Sequence, residues 1–451
     1  MSINNVKGTH DVIGIEAEAY DYVENVMSQI SSMFAFKPVR PPVMEYSELF
    51  VRGVGESSDV VRKEMYTFLD KADRSITLRP EFTAGIIRLI VQNKLIPVSE
   101  LPLKFYYCGP VFRYERPQLG RYRQFNQFGV ESVGHNSPYA DVEVISLAFT
   151  ILQSLGLEDV TIKINTLGDE TSRNNYRAAL KEYFKDKVAN MCADCQNRYE
   201  LNPLRILDCK VPEDQKIVKY APKMSDYLSL ESQKRFLKVL DCLRELEIPY
   251  EVDDTLVRGL DYYSETVFEF HYTSKKGNDY GAIGAGGHYD KLVHELGGPD
   301  VPGVGFSFGV ERLVNVLSDD DLLPKDFSRL DAYVMPIGAE SQAYALNIAD
   351  ELRLLGYRVD MCFDDVKLAN MFKRAEKKGA KLALIVGEEE IKNNKVIIKN
   401  MESKEQFTVD FDGFTDKCED ILVLKHCCGG HGKKEDGECC HDKECEYKKG
   451  E

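Results

Sequence analysis

The chain has 451 residues, 43% hydrophobic and 29% charged, with a formal net charge of −16. That length predicts two or three domains around a sizeable core, and the acidic balance excludes binding to DNA or RNA through overall charge, leaving only local basic patches. The opening MSINNVKGTHDV lacks a basic-then-apolar signal pattern, and no apolar run approaches membrane-spanning length. Twelve Cys, five of them in the last 25 residues, do not spread as a disulfide framework would, so a reduced cytoplasmic protein is expected.

In residues 17–34, Tyr20, Val23, Val26, Met27, Ile30 and Met33 recur at helical spacing and predict a helix. Residues 36–50, FKPVRPPVMEYSELF, are Pro-rich and extended, too apolar for a linker, and predict an edge or interface strand. Residues 65–79 predict a hairpin, after which Pro80 starts a helix with Glu81 and Thr83 in its first turn. Glu81 is there either a favourable helix-dipole charge or a ligand-binding group.

Residues 105–133, FYYCGPVFRYERPQLGRYRQFNQFGVESV, predict two strands joined at 117–120. Alternation puts Arg113 and Glu115 on one face of the first strand. On the returning strand it groups Arg121, Arg123, Phe125, Gln127 and Glu131, with Phe128 and Val130 pointing the other way. Such a face is either simply solvated or suited to a planar, anionic ligand, with guanidinium forks for phosphate and Phe125 as a platform for a base.

A helix at 141–155 and a strand at 160–165 follow. Residues 168–248 turn helical and Lys- and Glu-rich, and predict an inserted subdomain before strand resumes at Tyr250. Within it, Cys192-x-x-Cys195 and Cys209 offer three thiolates. A structural zinc site takes four ligands, so ordinary buried thiols are the competing reading.

The segment LVRGLDYYSETVFEFHY, 256–272, sets Arg258 beside Gly259, Asp261, Tyr262 and Tyr263, then alternates as a strand. The glycines of YGAIGAGGHYDKLV do not fit G-x-G-x-x-G, and no G-x-x-x-x-G-K-[ST] occurs, which excludes Rossmann and P-loop sites. These glycines instead let a strand pack closely under a ligand. GVGFSFGVERLVNVL passes from strand to helix near Gly309 and puts Arg312 in the first helical turn, where the backbone dipole disfavours a cation. That broken local rule points either to a functional cation or to an Arg reaching solvent.

These segments, taken together, carry a resemblance. FRYERPQ at 112–118 and GVGFSFGVERL at 303–313 resemble motifs 2 and 3 of class II aminoacyl-tRNA synthetases, and the strand around Pro42 resembles motif 1. With TLRPEFTAG, RGLDYY and AGGHYDKLV, the resemblance narrows to the histidyl-tRNA synthetase family and covers Val6 to about Leu424. It implies an α+β fold in which an antiparallel sheet flanked by helices binds bent ATP, with a helical insertion and a C-terminal α/β anticodon-binding domain. The implied layout is a catalytic domain at 1–327 (insertion at about 168–248) and the anticodon-binding domain at 328–424; the tail at 425–451 lies outside the resemblance, and its low apolar content predicts disorder without metal.

The implied reaction joins L-histidine to ATP, forming histidyl-adenylate and pyrophosphate, and then moves histidine to the 3' end of its tRNA. By resemblance, Arg113 and Arg258 flank the α-phosphate as the catalytic cations. Glu115 reads adenine, Phe125 stacks on it, and Arg121 and Arg312 hold the outer phosphates. Histidine selection falls to Glu81, Phe82, Thr83, Gln127, Glu131, Tyr262, Tyr263 and Tyr289, with Arg113 and Arg258 beside them. Mg2+ travels with the ATP, residues 116–123 reach toward the tRNA acceptor end, and a homodimer forms through the Pro42 strand. The chain departs from the family pattern at His288, where Arg is usual, and at Asn126, where His is usual. The first departure leaves the setting of Tyr289 open.

From Leu330 onward, strand and helix alternate and predict a small, partly parallel sheet. Lys367, Lys373, Arg374, Lys377 and Lys378 make one helix basic, either for anticodon contact or as a solvated face. The tail concentrates Cys427, Cys428, Cys439, Cys440 and Cys445 with His426, His431 and His441, and either captures a zinc-like ion or is a passive extension. The rival reading is a non-catalytic paralogue such as the regulatory subunit of ATP phosphoribosyltransferase. Glu115, Arg258, Arg312 and the full C-terminal domain weigh against it. A general RNA-binding module fails on net charge.

Overall fold

The computed structural model describes residues 3–96, 100–116, 120–325 and 329–423. It divides into two compact units, Met1–Leu323 and Pro324–Glu451.

Among its described residues the first unit has eleven strands: β1 (Lys37–Pro38), β2 (Met44–Tyr46), β3 (Tyr66–Leu69), β4 (Ser75–Leu78), β5 (Leu103–Phe112), β6 (Gln124–Val133), β7 (Thr161–Thr166), β8 (Tyr250–Val252), β9 (Ser264–Thr273), β10 (Asp279–Tyr289) and β11 (Gly303–Gly309). Eight of them form one sheet in the order β1-β5-β6-β11-β10-β9-β7-β8. Its central pairings are antiparallel, and parallel pairing is confined to the rims, β1 with β5 and β7 with β8. Strands β5 and β6 pair without a slip from Leu103↔Val133 to Phe112↔Gln124. That register fixes which side chains share a face, because a one-residue shift would invert every one of them. Phe128 and Val130 are fully buried, and the helices Ile15–Met33 and Val310–Asp319 pack against β6. Gln127 and Glu131, with the opposite parity, face the other side and line a cavity.

The Pro-rich stretch is an edge strand in part. β2 pairs with β4, and β4 with β3, in a separate three-stranded sheet, but residues from Ser47 onward turn into the helix Ser47–Val54. Met44, Tyr46, Phe68 and Leu69 on this small sheet are exposed. The helix expected from Pro80 begins at Thr83 instead. The Glu81 carboxylate lies ahead of it and accepts the backbone N–H groups of Thr83 (2.7 Å) and Ala84 (3.0 Å). Those donors have no partner inside the helix, so a carboxylate at this point both satisfies them and complements the dipole.

Between β7 and β8 the chain forms the helices Glu170–Phe184, Ala193–Leu201, Pro212–Val218 and Leu230–Glu245, joined by short 3-10 turns. Tyr176, Leu180, Phe184, Met191 and Ile206 form a core there with Cys195 and Cys209.

The second unit contains β12 (Ala332–Pro336), β13 (Val359–Met361), β14 (Leu382–Val386), β15 (Lys395–Asn400) and β16 (Gln406–Asp410), in the order β13-β12-β14-β15-β16. The first three are mutually parallel and the last two antiparallel. The helix Gln342–Leu354 buries Ala345, Ile348, Ala349 and Leu352 against this sheet.

Candidate active site

A cavity of about 1020 Å³ opens on the free face of the eight-stranded sheet, and every residue singled out above for histidine or ATP lines it. Ligand clefts commonly run from about 300 to 1,000 Å³, so this one has room for more than a single small metabolite.

One end is built from buried carboxylates and phenols. Glu131, on β6, is 1% exposed; its Oε1 accepts from the Thr83 hydroxyl (2.6 Å) and its Oε2 from the Tyr289 hydroxyl (2.8 Å). Burial pushes its pKa up to about 8, although these hydroxyls pull the other way. Glu81 is also raised by burial, against the helix N–H groups it accepts. Two glycines make this end possible. A Cβ at Gly305 would stand 2.2 Å from Glu131 Oε2, and one at Gly129 would stand 2.4 Å from the Tyr107 hydroxyl. Tyr262 and Tyr263 lie with ring centroids 4.5 Å apart, and Tyr262 meets Tyr289 edge-on at 5.8 Å. Phe82 stacks on Tyr107 at 4.3 Å. Tyr107 was not picked out by the sequence; its place opposite Gly129 in the register is the signal that marks it.

The other end is cationic. The assigned strand ends at Phe112, with one further in-register bond from the Arg113 N–H to the Arg123 carbonyl (2.9 Å), so Arg113 sits at the strand's end, Glu115 lies beyond it, and Arg121 likewise precedes β6. The expectation of a continuous charged strand face is corrected accordingly. The side chains still converge: Glu115 lies 4.0 Å from Arg113 Nη1 and 3.7 Å from Arg121 Nη1. Arg123 does not join them; its guanidinium covers the Tyr114 ring at 3.9 Å. Arg312 donates to the carbonyls of Ala282 (2.5 Å) and Gly120 (3.3 Å), and burial followed by the neighbouring Arg121 lowers its pKa. Residues 117–119, the tip of the loop expected to face tRNA, lie outside the described residues.

Two arginines connect these ends. Arg113 Nε donates to the Pro80 carbonyl (2.9 Å), next to Glu81, while its guanidinium sits 5.5 Å from the Phe125 ring centroid. Arg258 sits 5.5 Å from the Tyr263 ring centroid and donates to Glu269 Oε1 at 2.5 Å; Glu269 Oε2 lies 3.0 Å from His271 Nε2. Burial opposes ionisation of Glu269, but His271 and Arg258 together hold its pKa below the usual value. Glu269 and His271 were missed, though the alternation of SETVFEFHY puts both on one face.

His288 is fully buried away from this cavity. Its Nδ1 lies 2.9 Å from Asp141 Oδ1 and its Nε2 3.2 Å from Asp290 Oδ1, while Arg235 and Thr266 also bond Asp141 at 2.9 and 2.8 Å. Burial and the Arg235 guanidinium, 3.2 Å from Nδ1, work against its charge, yet Asp141 and Asp290 raise its pKa to about 9, which favours the imidazolium at neutral pH. It therefore supplies a cation where the resemblance leads one to expect Arg, and leaves Tyr289 free to bond Glu131.

In the second unit, Arg374 pairs with Asp364 (2.7 Å) and Lys378 with Asp360 (2.5 Å), whereas Lys367, Lys373 and Lys377 are exposed. The tail cysteines, Cys427, Cys428, Cys439 and Cys440 among them, lie outside the described residues.

Residues 8–313 match the family model for histidyl-tRNA synthetase, and residues 331–421 match that for an anticodon binding domain. The chain belongs to the histidyl-tRNA synthetase family. It is 42% identical over 415 residues to a histidine–tRNA ligase of Bacillus subtilis, covering 92% of this chain and 98% of that one. A histidine–tRNA ligase of Thermosipho melanesiensis is 44% identical over 407 residues, covering 90% and 96%. The crystal structure of apo S. aureus histidyl-tRNA synthetase superposes with a TM-score of 0.79 at 34% identity, covering 93% of this chain and all of that one. Aminoacylation with histidine is the family's reaction. It uses ATP with Mg2+, and the anticodon-binding domain makes tRNA the macromolecular partner. Among the described residues no helix is long and apolar enough to cross a membrane.

Proposed function

We propose that the phenol-and-carboxylate end of the cavity holds L-histidine and that the arginine end holds ATP. The observation that carries this reading is the placement of Arg113 and Arg258 between the two, each tied to both a fixed backbone or carboxylate group and an aromatic ring. Imidazole has two ring nitrogens. Glu131 and Glu81 with the surrounding hydroxyls offer partners to both, and an isostere lacking either nitrogen would leave a buried group unpaired. Such a site discriminates by roughly 10⁴-fold or more. Gln127 and Thr83 complete this end, with Tyr262, Tyr263, Tyr289 and Phe82 as its walls.

Phe125 and Glu115 bind adenine by stacking and by hydrogen bonding to its amino group, while Arg121 and Arg312 take the outer phosphates. Mg2+ enters with the ATP and supplies further charge neutralisation on the phosphates. The histidine carboxylate attacks the α-phosphorus, the bond to the bridging oxygen breaks, and pyrophosphate leaves. Arg113 and Arg258 stabilise the charge that builds on the α-phosphate, so the protein contributes positioning and electrostatics with no covalent enzyme intermediate. The tRNA 3' hydroxyl then displaces AMP. Histidine-dependent ATP–pyrophosphate exchange tests the first half. Exchange that is absent, or equal with other amino acids, would refute the assignment.

We take 1–327 (insertion at about 168–248), 328–424 and 425–451 as the domain layout, and the exposed Lys367, Lys373 and Lys377 as anticodon-stem contacts. A cytoplasmic homodimer through the small β2-β4-β3 sheet is supported by its exposed Met44, Tyr46 and Phe68. A zinc-like ion on the tail rests on the density of Cys and His there alone.

A further inference from the structure

The insertion between β7 and β8 brings a fourth ligand to the three cysteines. Cys192 Sγ lies 3.9 Å from Cys209 Sγ, Cys209 Sγ lies 3.2 Å from Asp214 Oδ2, and single ligand atoms of Cys192, Cys195, Cys209 and Asp214 all fall within 4.8 Å of one another. Zinc bonds of about 2.3 Å to sulfur and about 2.0 Å to oxygen, arranged tetrahedrally, put sulfurs roughly 3.8 Å apart and sulfur and oxygen roughly 3.5 Å apart. The widest pair therefore needs to close by about 1 Å. We propose that Cys192, Cys195, Cys209 and Asp214 form a structural site for a zinc-like divalent ion.

Three further features support a ligand set over spare thiols. Asp214 is 2% exposed, and among the described residues it has no ion pair; its oxygens accept the Cys192 backbone N–H (3.1 and 3.3 Å) and the thiols of the cluster, Cys209 nearest. A buried carboxylate without a cation is costly, and a metal ion removes that cost. Backbone N–H groups also point at the sulfurs: the Cys195 N–H donates to Cys192 Sγ (3.4 Å) and the Val211 N–H to Cys209 Sγ. Finally, residues 188–227 run through short helices and 3-10 turns around a small core, the kind of segment that a metal stabilises where apolar burial is limited. On binding, the three thiols give up their protons to solvent and the ion takes the four lone pairs, which leaves a closed site with no open catalytic position.

The site also bears on the cavity. Leu207, Asp208 and Cys209 line it, and Arg205 in the same segment donates to the carbonyls of Ser57 (3.0 Å) and Gly259 (2.8 Å), the latter adjacent to Arg258. A metal that fixes residues 192–214 thus braces the loop carrying Arg258.

The test uses the full chain with all five tail cysteines changed to Ser, so that only the insertion can supply a thiolate cluster. After expression with zinc and dialysis under reducing conditions, elemental analysis is expected to find about one zinc per chain. Cobalt substitution should give the near-ultraviolet thiolate charge-transfer bands and intense visible bands of a tetrahedral centre. Cys195→Ser should abolish the bound zinc. Asp214→Asn, which keeps the side chain's volume and guards against a misfolded Cys variant, should weaken zinc affinity by roughly tenfold or more in a chelator competition, with an unchanged circular dichroism spectrum. Metal-free protein, zinc retained in full by Cys195→Ser, or a Cys192–Cys209 disulfide found by mass spectrometry of the freshly isolated chain would each overturn the proposal.

Discussion

Replacing Glu131 with Gln separates what this side chain costs the fold from what it does for histidine. Its carboxyl is displaced from an ordinary 4.5 to about 8 by burial. A raised carboxyl pKa means that the folded state holds the proton more tightly than the unfolded one. Stability is therefore full below about pH 4.5 and is lost progressively as pH rises toward 8. The loss amounts to about 5 kcal/mol above pH 8. Glu131→Gln removes it, but leaves either Thr83 or Tyr289 without its acceptor, at a cost of about 1–2 kcal/mol. The variant should thus be slightly less stable than the parent near pH 4.5 and about 3 kcal/mol more stable at pH 8.5. In thermal unfolding of a unit this large, that corresponds to roughly a 5 °C gain in Tm at pH 8.5. Histidine affinity, measured by calorimetry at pH 8.5, should meanwhile fall by roughly 10–100-fold, because the ligand loses a hydrogen bond to a charged group. A Tm difference that does not change with pH, or a variant less stable than the parent at pH 8.5, would refute the burial argument. Unchanged histidine affinity would remove Glu131 from the binding site.

Arg258→Ala should leave histidine and ATP binding largely intact but lower the activation rate by roughly 10²-fold or more in pyrophosphate exchange, since one transition-state cation is lost; a pure loss of substrate affinity would contradict that role. His288, raised from 6.5 to about 9, contributes about 3 kcal/mol that is fully present below pH 6.5 and lost as pH rises through 9. His288→Gln should therefore be markedly less stable than the parent at pH 6 and should flatten the alkaline part of the stability profile, and equal denaturation midpoints at pH 6 would sink the buried-imidazolium assignment. Changing Met44 and Phe68 together to Glu should convert the dimer to monomers in sedimentation at micromolar concentration. A parent that is itself a fully active monomer would remove the dimer proposal.

The sequence alone was enough to locate the central hairpin, the edge strand and a set of residues that all line the cavity, though not Tyr107, Glu269 or His271. Strand alternation is a short-range rule, and segments such as FRYERPQ and GVGFSFGVERL keep their spacing whatever surrounds them. It was also enough to show that Arg312 breaks a helix-terminus rule, because the dipole depends only on chain position. It could not show that Glu115 lies beyond the ladder, since its alternation continues past Arg113, whose N–H makes the last cross-strand bond to the Arg123 carbonyl. Nor could it show that Glu269 is the partner of Arg258, or that Glu131 is held near pH 8 while Glu269 stays ionised. All these residues are acids in strand-like sequence, and only their solvent exposure and their neighbours across the sheet set them apart. Asp214 makes the point most plainly: it is one acid among 74 in the chain, and only the turn after Cys209 brings it against the thiol cluster and away from water. Charge state and ligand geometry arise from contacts through space and from desolvation, which are properties of the packed chain and not of any residue or its sequence neighbours.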